Sequence, residues 1–387
     1  MTEPLRIIYV IHNAYGVGGT VRTIINQANA MAARGHDVDV VSMWRARDST
    51  FFPLHERVRL VPLVDARSPA RKTPPGTDRE DASWHSLFPA KLSATEDNRL
   101  KVNALIGHLR GIKEGVLVCT RPTISLIVER FSDPRTIRVA QEHAHLGIHK
   151  PEWRAALEEA YKSFDALVTL TEQDKRSYAE AFPGIPRIER IPNPLTSLDV
   201  PVSDLTGKIV MSAGRLVRTK AFHDLIRAFG AVVERHPDWT LRIYGEGPEE
   251  PRLRRLIMRS HLYNHVFLMG VHDRLSEQFA KGSLLAMSSR SEGFGMVLLE
   301  AMNSGLPVVS YDCPVGPREI ITPERDGLLV PMGDTDSLAA AIRRLIENEE
   351  LRRTLGAAAR KTAANYDPDV ITRTWERLFA ELVAGRN

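Results

Sequence analysis

The stretch "SSRSEGFGMVLLEAMNSGLPVVS", residues 288–310, holds two glutamates, Glu292 and Glu300, with seven residues between them. Glu292 precedes a glycine turn around Phe294, and Glu300 falls inside a short helical pattern. Such a pair could work as acid and base, or could grip one ligand from two sides. Upstream, "SAGRLVRTKAFHDLIRAF" closes a strand pattern at a glycine and sets Arg215 and Lys220 on the loop into a helix. Two cations beside a helix start suit a diphosphate: arginine grips two oxygens, and lysine adds a mobile point charge. In "HNAYGVGGTVRT", Gly16, Gly18 and Gly19 precede a helix beginning near Thr20, where bare backbone can approach an anion. The spacing departs from the dinucleotide fingerprint, whose third glycine would fall at Val21. Each feature also has a plain structural reading: a turn, a solvated loop, or a helix-start carboxylate favoured by the dipole.

Strands and helices must carry these loops. Short runs rich in Val and Ile alternate with segments of helical period, the pattern of parallel sheets with crossover helices. "RIIYVIH", "HDVDVVSM", "GVLVCT", "IRVAQEH" and "ALVTLT" form a first series; "KIVMSAG", "TLRIYGEG", "VFLMG", "LLAMSS" and "LPVVSYD" form a second. The segment between them, with three prolines, reads as a linker near residues 192–207. An α/β chain of two doubly wound units follows. In such sheets ligands bind beyond the carboxyl ends of the strands, so two facing sheets would enclose a central cleft.

Composition narrows the class. The chain has 387 residues, 43% hydrophobic and 26% charged, long enough for two domains. No apolar run approaches the roughly 18 residues of a membrane span, and the N-terminus lacks the order of a secretory signal. Cys119 and Cys313 are too few for a metal cluster or a disulfide framework, which points to a cytoplasmic setting. A net charge of +4 favours anionic partners without identifying them. Between Trp44 and Lys72 seven Arg or Lys oppose three Asp or Glu, either a binding surface or a solvated face. Residues 65–98 fit neither strand nor helix; Trp84, Leu87 and Phe88 within them could form a lid or a peripheral membrane contact, or simply pack. At the C-terminus Val370, Trp375, Leu378, Phe379 and Leu382 follow helical spacing.

Several ordered motifs, "GRLVRTK", "YGEGPEEPRL", "VFLMG", "SEGFGMVLLEAMNSGLPVV" and "ERDGLLVP", together resemble the retaining glycosyltransferases of family 4, which have the GT-B fold. The resemblance implies an N-terminal acceptor-binding domain (1–195), a C-terminal nucleotide-sugar domain (196–365) and a terminal helix (366–387) crossing back to the first. It implies a UDP-sugar co-substrate, no cofactor, no metal and no nucleic acid. Arg215 and Lys220 would hold the diphosphate and Glu300 the ribose. Glu292 and the amides of Gly293, Phe294, Gly295, Met296 and Val297 would hold the sugar. Gly245 and Val271 would flank the base, Gly18 and Gly19 would line the donor, and His143 of "VAQEHAH", or its neighbour His145, would reach the donor sugar. "DCPVGPREII" is similar to members that build bacterial envelope glycans or decorate teichoic acids, so the implied acceptor is a glycan, polymer or lipid-linked chain. A UDP-sugar 2-epimerase of similar fold, or a transferase acting on a small natural product, are the alternatives.

Overall fold

The computed structural model describes residues 3–67, 88–89 and 96–386. The chain divides into two compact units, Met1–Asn193 with Pro368–Asn387, and Pro194–Asp367. In the first, β1 (Arg6–Ile11), β2 (Asp37–Ser42), β3 (Val58–Pro62), β4 (Val116–Cys119), β5 (Ile137–Gln141), β6 (Ala166–Thr169) and β7 (Ile188–Arg190) form one sheet in the order β3-β2-β1-β4-β5-β6-β7. In the second, β8 (Ile209–Ala213), β9 (Thr240–Tyr244), β10 (Val266–Gly270), β11 (Leu284–Met287), β12 (Val308–Asp312) and β13 (Gly327–Pro331) take the order β10-β9-β8-β11-β12-β13. All of these strand pairs are parallel. Both units therefore reverse strand order beside their first strand, at β1/β4 and at β8/β11.

The central strands read as unbroken apolar runs because helices cover both faces of each sheet; five of the six β1 residues and all four of β11 are buried. Leu225, Phe229 and Val232 of the helix Phe222–Val233 pack on one face of the second sheet with Leu338, Ile342 and Leu345 of the helix Thr335–Glu347. In the first unit the C-terminal helix Pro368–Ala384 sets Trp375 and Phe379 into a core with Ile24 and Ala28 of the helix Gly19–Ala33. Val370, expected on that apolar stripe, is exposed instead, one turn short of the packed face.

Three edge strands, β3, β7 and β13, have no clear sequence counterpart. β7 reads "IER" and is half-buried throughout, so alternation and apolar content are both weak. Phe88 is buried against the first core, with its ring 6.3 Å from that of Trp153. That residue packs, the third of the expected readings; Trp84 and Leu87 lie outside the described residues. No described helix is long and apolar enough to cross a membrane.

Candidate active site

The loops at the switch point of the second unit are tied to one another by hydrogen bonds. After β8 the chain passes Gly214 and Arg215 into a short turn, Arg218–Lys220, and then the helix Phe222–Val233. After β11 it runs through Ser288–Glu292 into the helix Met296–Asn303. The Ser288 hydroxyl donates to the Lys220 carbonyl at 3.0 Å, and the Arg290 amide donates to the Thr219 carbonyl at 2.8 Å. The Arg290 guanidinium grips the buried Asp224 carboxylate at 2.7 and 3.2 Å. The two loops thus behave as one platform rather than two independent segments.

The Lys220 ammonium donates to Glu292 on that platform, joining one expected phosphate ligand to one expected sugar ligand. Their side chains are 22% and 9% exposed, so the pair is poorly solvated while one edge stays open. A pair in this position is costly to break, since either partner alone would be a poorly hydrated charge. Arg215, on the same β8 loop, is exposed. Cys313, at the end of β12, lies near both charges; burial and the Glu292 carboxylate push its thiol up to about 12. It is therefore a protonated packing residue.

Glycine chemistry sets the shape of these loops. Gly295 caps the helix Met296–Asn303 at φ 104°, a left-handed conformation that costs other residues. A Cβ on Gly245 would lie 2.0 Å from the Gly214 carbonyl oxygen, and one on Gly316 would lie 2.3 Å from that of Phe294. The "YGEG" and "CPVG" glycines therefore let neighbouring loops touch through bare backbone. Phe294 itself is 3% exposed and meets Tyr366 edge-on at 5.8 Å. Its side chain anchors the turn while its backbone stays at the helix start. Among the described residues, the N–H groups of Gly293, Phe294, Gly295, Met296 and Val297 have no hydrogen-bond acceptor. Five such donors at a helix N-terminus favour a negatively charged or oxygen-rich ligand.

Of the other expected residues, Glu300 sits half-buried on the same helix, one turn beyond Met296. Gly245 donates its N–H to the Gly270 carbonyl at 2.7 Å, which brings it beside the exposed Val271. Gly18 and Gly19 start the helix Gly19–Ala33, and a Cβ on either would meet nothing within 4 Å. Those two glycines leave open space but are not sterically required by the chain. His143 follows β5 in the first unit; its Nε2 is enclosed without a partner among the described residues. Burial, with Arg121 adding to it, pushes its pKa down to about 3, so the imidazole is neutral.

Sequence reasoning passed over Asp224, Arg290 and Gly316. The last carried a signal, since a glycine between valine and proline after a strand marks a tight turn. Asp224 and Arg290 carried none, being ordinary charges 66 positions apart. Ala221 is a further surprise. It is buried at φ 46° and ψ 38°, a left-handed alanine at the start of the helix. Strain of this kind persists where surrounding contacts over-determine the backbone.

Two parallel-sheet units, each furnished at its strand carboxyl ends, define the GT-B architecture. A solved structure of Staphylococcus aureus TarM, in complex with UDP and alpha-GlcNAc-glycerol, superposes with a TM-score of 0.81 over 97% of this chain and 99% of that one, at 16% identity. Residues 197–362 match the family model "Glycosyl transferases group 1", so the second unit carries a domain of that family. An exopolysaccharide phosphotransferase of Streptomyces coelicolor is 36% identical over 99% of this chain, which spans 41% of that protein's length. An uncharacterized glycosyltransferase of Haemophilus influenzae is 25% identical over 97% of this chain and 99% of its own.

Proposed function

We propose that this protein is a retaining, metal-independent glycosyltransferase that moves a hexose or N-acetylhexosamine from a UDP-sugar to a polysaccharide or other cell-envelope acceptor. The observation that carries the reading is the β8/β11 platform, where the Lys220–Glu292 pair adjoins five backbone N–H groups that meet no acceptor among the described residues. The group 1 domain match and the relatives named above support the reaction class.

Arg215 and Lys220 hold the diphosphate and stabilise the charge it gains as the sugar leaves. Fixed cations do this well because they need no reorganisation during the reaction. Glu292 and the amides from Gly293 to Val297 hold the sugar, and Glu300 takes the ribose hydroxyls. Gly245 and Val271 flank the base. Neutral His143 offers one donor and one acceptor to sugar hydroxyls. The acceptor attacks from the face that the diphosphate leaves, and the departing phosphate receives its proton. Neither glutamate is the nucleophile in this scheme. In the structure Glu292 already spends one oxygen on Lys220, which suits a hydrogen-bonding role.

The test is UDP titration calorimetry on Glu300→Gln, combined with anomeric analysis of the transfer product. Affinity for UDP should fall about tenfold, the worth of one charged hydrogen bond, and the product should keep the donor's configuration. Unchanged UDP affinity removes Glu300 from the ribose; an inverted product removes the retaining mechanism.

A further inference from the structure

Away from both switch points, β7, the edge strand of the first sheet, and the C-terminal helix Pro368–Ala384 line an open cavity of about 360 Å³. The strand contributes Arg187, Glu189 and Arg190. The helix contributes Arg377 and Glu381, four residues apart and so on one face. Both walls are anchored: Ile191, next to Arg190, and Leu378, next to Arg377, are buried in one core.

The charges around this cavity are unevenly spent. Arg187 donates to Glu189 at 2.9 Å and to Glu381 at 2.7 Å, so a single cation occupies both carboxylates. Lys175 stands 3.7 Å from Glu189 as well. Arg190 and Arg377 are left with no ion pair among the described residues. The Nε of Arg190 is also enclosed without a hydrogen-bond partner there. An enclosed guanidinium N–H with no acceptor is costly, and native structures keep few of them without a bound ion, water or ligand to account for it.

We infer that this cavity binds a small phosphomonoester, its phosphate held between Arg190 and Arg377. At neutral pH such a group carries roughly −1.5 to −2 charge, which matches two unpaired guanidiniums. A phosphodiester or a carboxylate, with one negative charge, would leave one cation over. Arginine suits the task because its fork grips two phosphate oxygens at once. The volume is at the small end for ligand cavities, which favours a single phosphorylated molecule over a polymer or a membrane surface. Arg190 stands three residues before the unit boundary at Asn193, and the helix that carries Arg377 begins at the other boundary, Pro368. An occupant therefore fastens the segment leaving the first unit to the segment returning to it. The inference goes beyond the glycosyltransferase reading and does not depend on it.

The test is calorimetry on the full chain in excess UDP, which competes for the expected diphosphate residues of the second unit. The titrants are methyl phosphate, inorganic phosphate and dimethyl phosphate. Methyl phosphate should bind at one site and raise the melting temperature, and dimethyl phosphate should bind at least tenfold more weakly. Arg190→Gln and Arg377→Gln should each weaken methyl phosphate binding about tenfold, and Arg377→Lys should keep part of what Arg377→Gln loses. Arg377 is exposed, so its variants test the site whether or not Arg190→Gln lowers the stability of the fold. No measurable binding of methyl phosphate, equal binding of the diester, binding of inorganic phosphate alone, or unaltered binding in the double variant would each overturn the inference. UDP affinity on the same samples is read separately: its absence in the parent protein would count against the glycosyltransferase reading alone.

Discussion

The two units share one topology but furnish it in opposite ways. At β8/β11 a lysine and a glutamate neutralise each other, surrounded by glycines that press loop against loop. At β1/β4 the crevice holds His12 and Arg121, with cations held over aromatic rings. A ligand entering the second unit meets backbone donors and a balanced charge pair, suited to a molecule with both hydroxyls and phosphates. One entering the first meets the exposed guanidinium of Arg121 and the imidazole of His12. The fold supplies the crevice and the loop residues choose its chemistry.

The sharpest way to break this contrast is to strip the cations of the second unit. If both hold the leaving diphosphate as proposed, Arg215→Ala and Lys220→Ala should each lower turnover on the order of 100-fold. Lys220→Ala should also destabilise the fold, because it leaves Glu292 poorly hydrated and unpaired. Near-parental turnover in both variants, measured with saturating donor, would end the assignment and the contrast with it.

A smaller effect tests the glycine contacts. Gly245→Ala must displace the Gly214 carbonyl and keep a backbone angle of φ 134° that alanine avoids. About 3 kcal/mol of stability should be lost, read as a lower denaturation midpoint. Gly18→Ala, with open space around it, should cost far less, so equal losses would show that loop packing does not distinguish the two sites.

The smallest effect concerns pH. In the first unit Glu142 is buried beside the Tyr161 hydroxyl, which donates to it, and burial pushes its carboxyl up to about 7. The folded state then binds more protons than the unfolded state, whose carboxyl titrates near 4.5. Stability contributed by the neutral acid is present below that lower value and is lost as pH rises through 7. His12 and His143, kept neutral by burial, work the other way, but their contribution is complete above their unfolded value of 6.5. Glu142→Gln should therefore flatten the fall in melting temperature between pH 6 and 8. A decline as steep as the parent's would remove Glu142 as its source.

Much of this was legible in the residues. The central strands and the helix Met296–Asn303 announced themselves because burial on both faces demands continuous apolar runs and because helices begin at glycine turns. Edge strands such as β7 did not, since a half-exposed strand of three residues has no period to read. For the site, the chain order of Arg215, Lys220, Glu292 and Glu300 was visible, and so was the motif resemblance that gave them roles. The basic excess after Trp44 was visible too, but Arg121 is far from it in sequence and joins it only because β4 lies beside β1.

What the sequence determined by itself is the menu: two alternating units, glycine turns at strand ends, and side chains able to hold phosphate and hydroxyls. Local propensity and apolar period dictate these without reference to distant residues. Tertiary structure alone decided that Lys220 meets Glu292 across 72 positions and that Arg290 secures Asp224. It also decided that Phe294 is an anchor rather than a ligand surface. Those outcomes depend on which strands become neighbours, and strand order is set by long-range packing of whole sheets, which no short stretch of chain encodes.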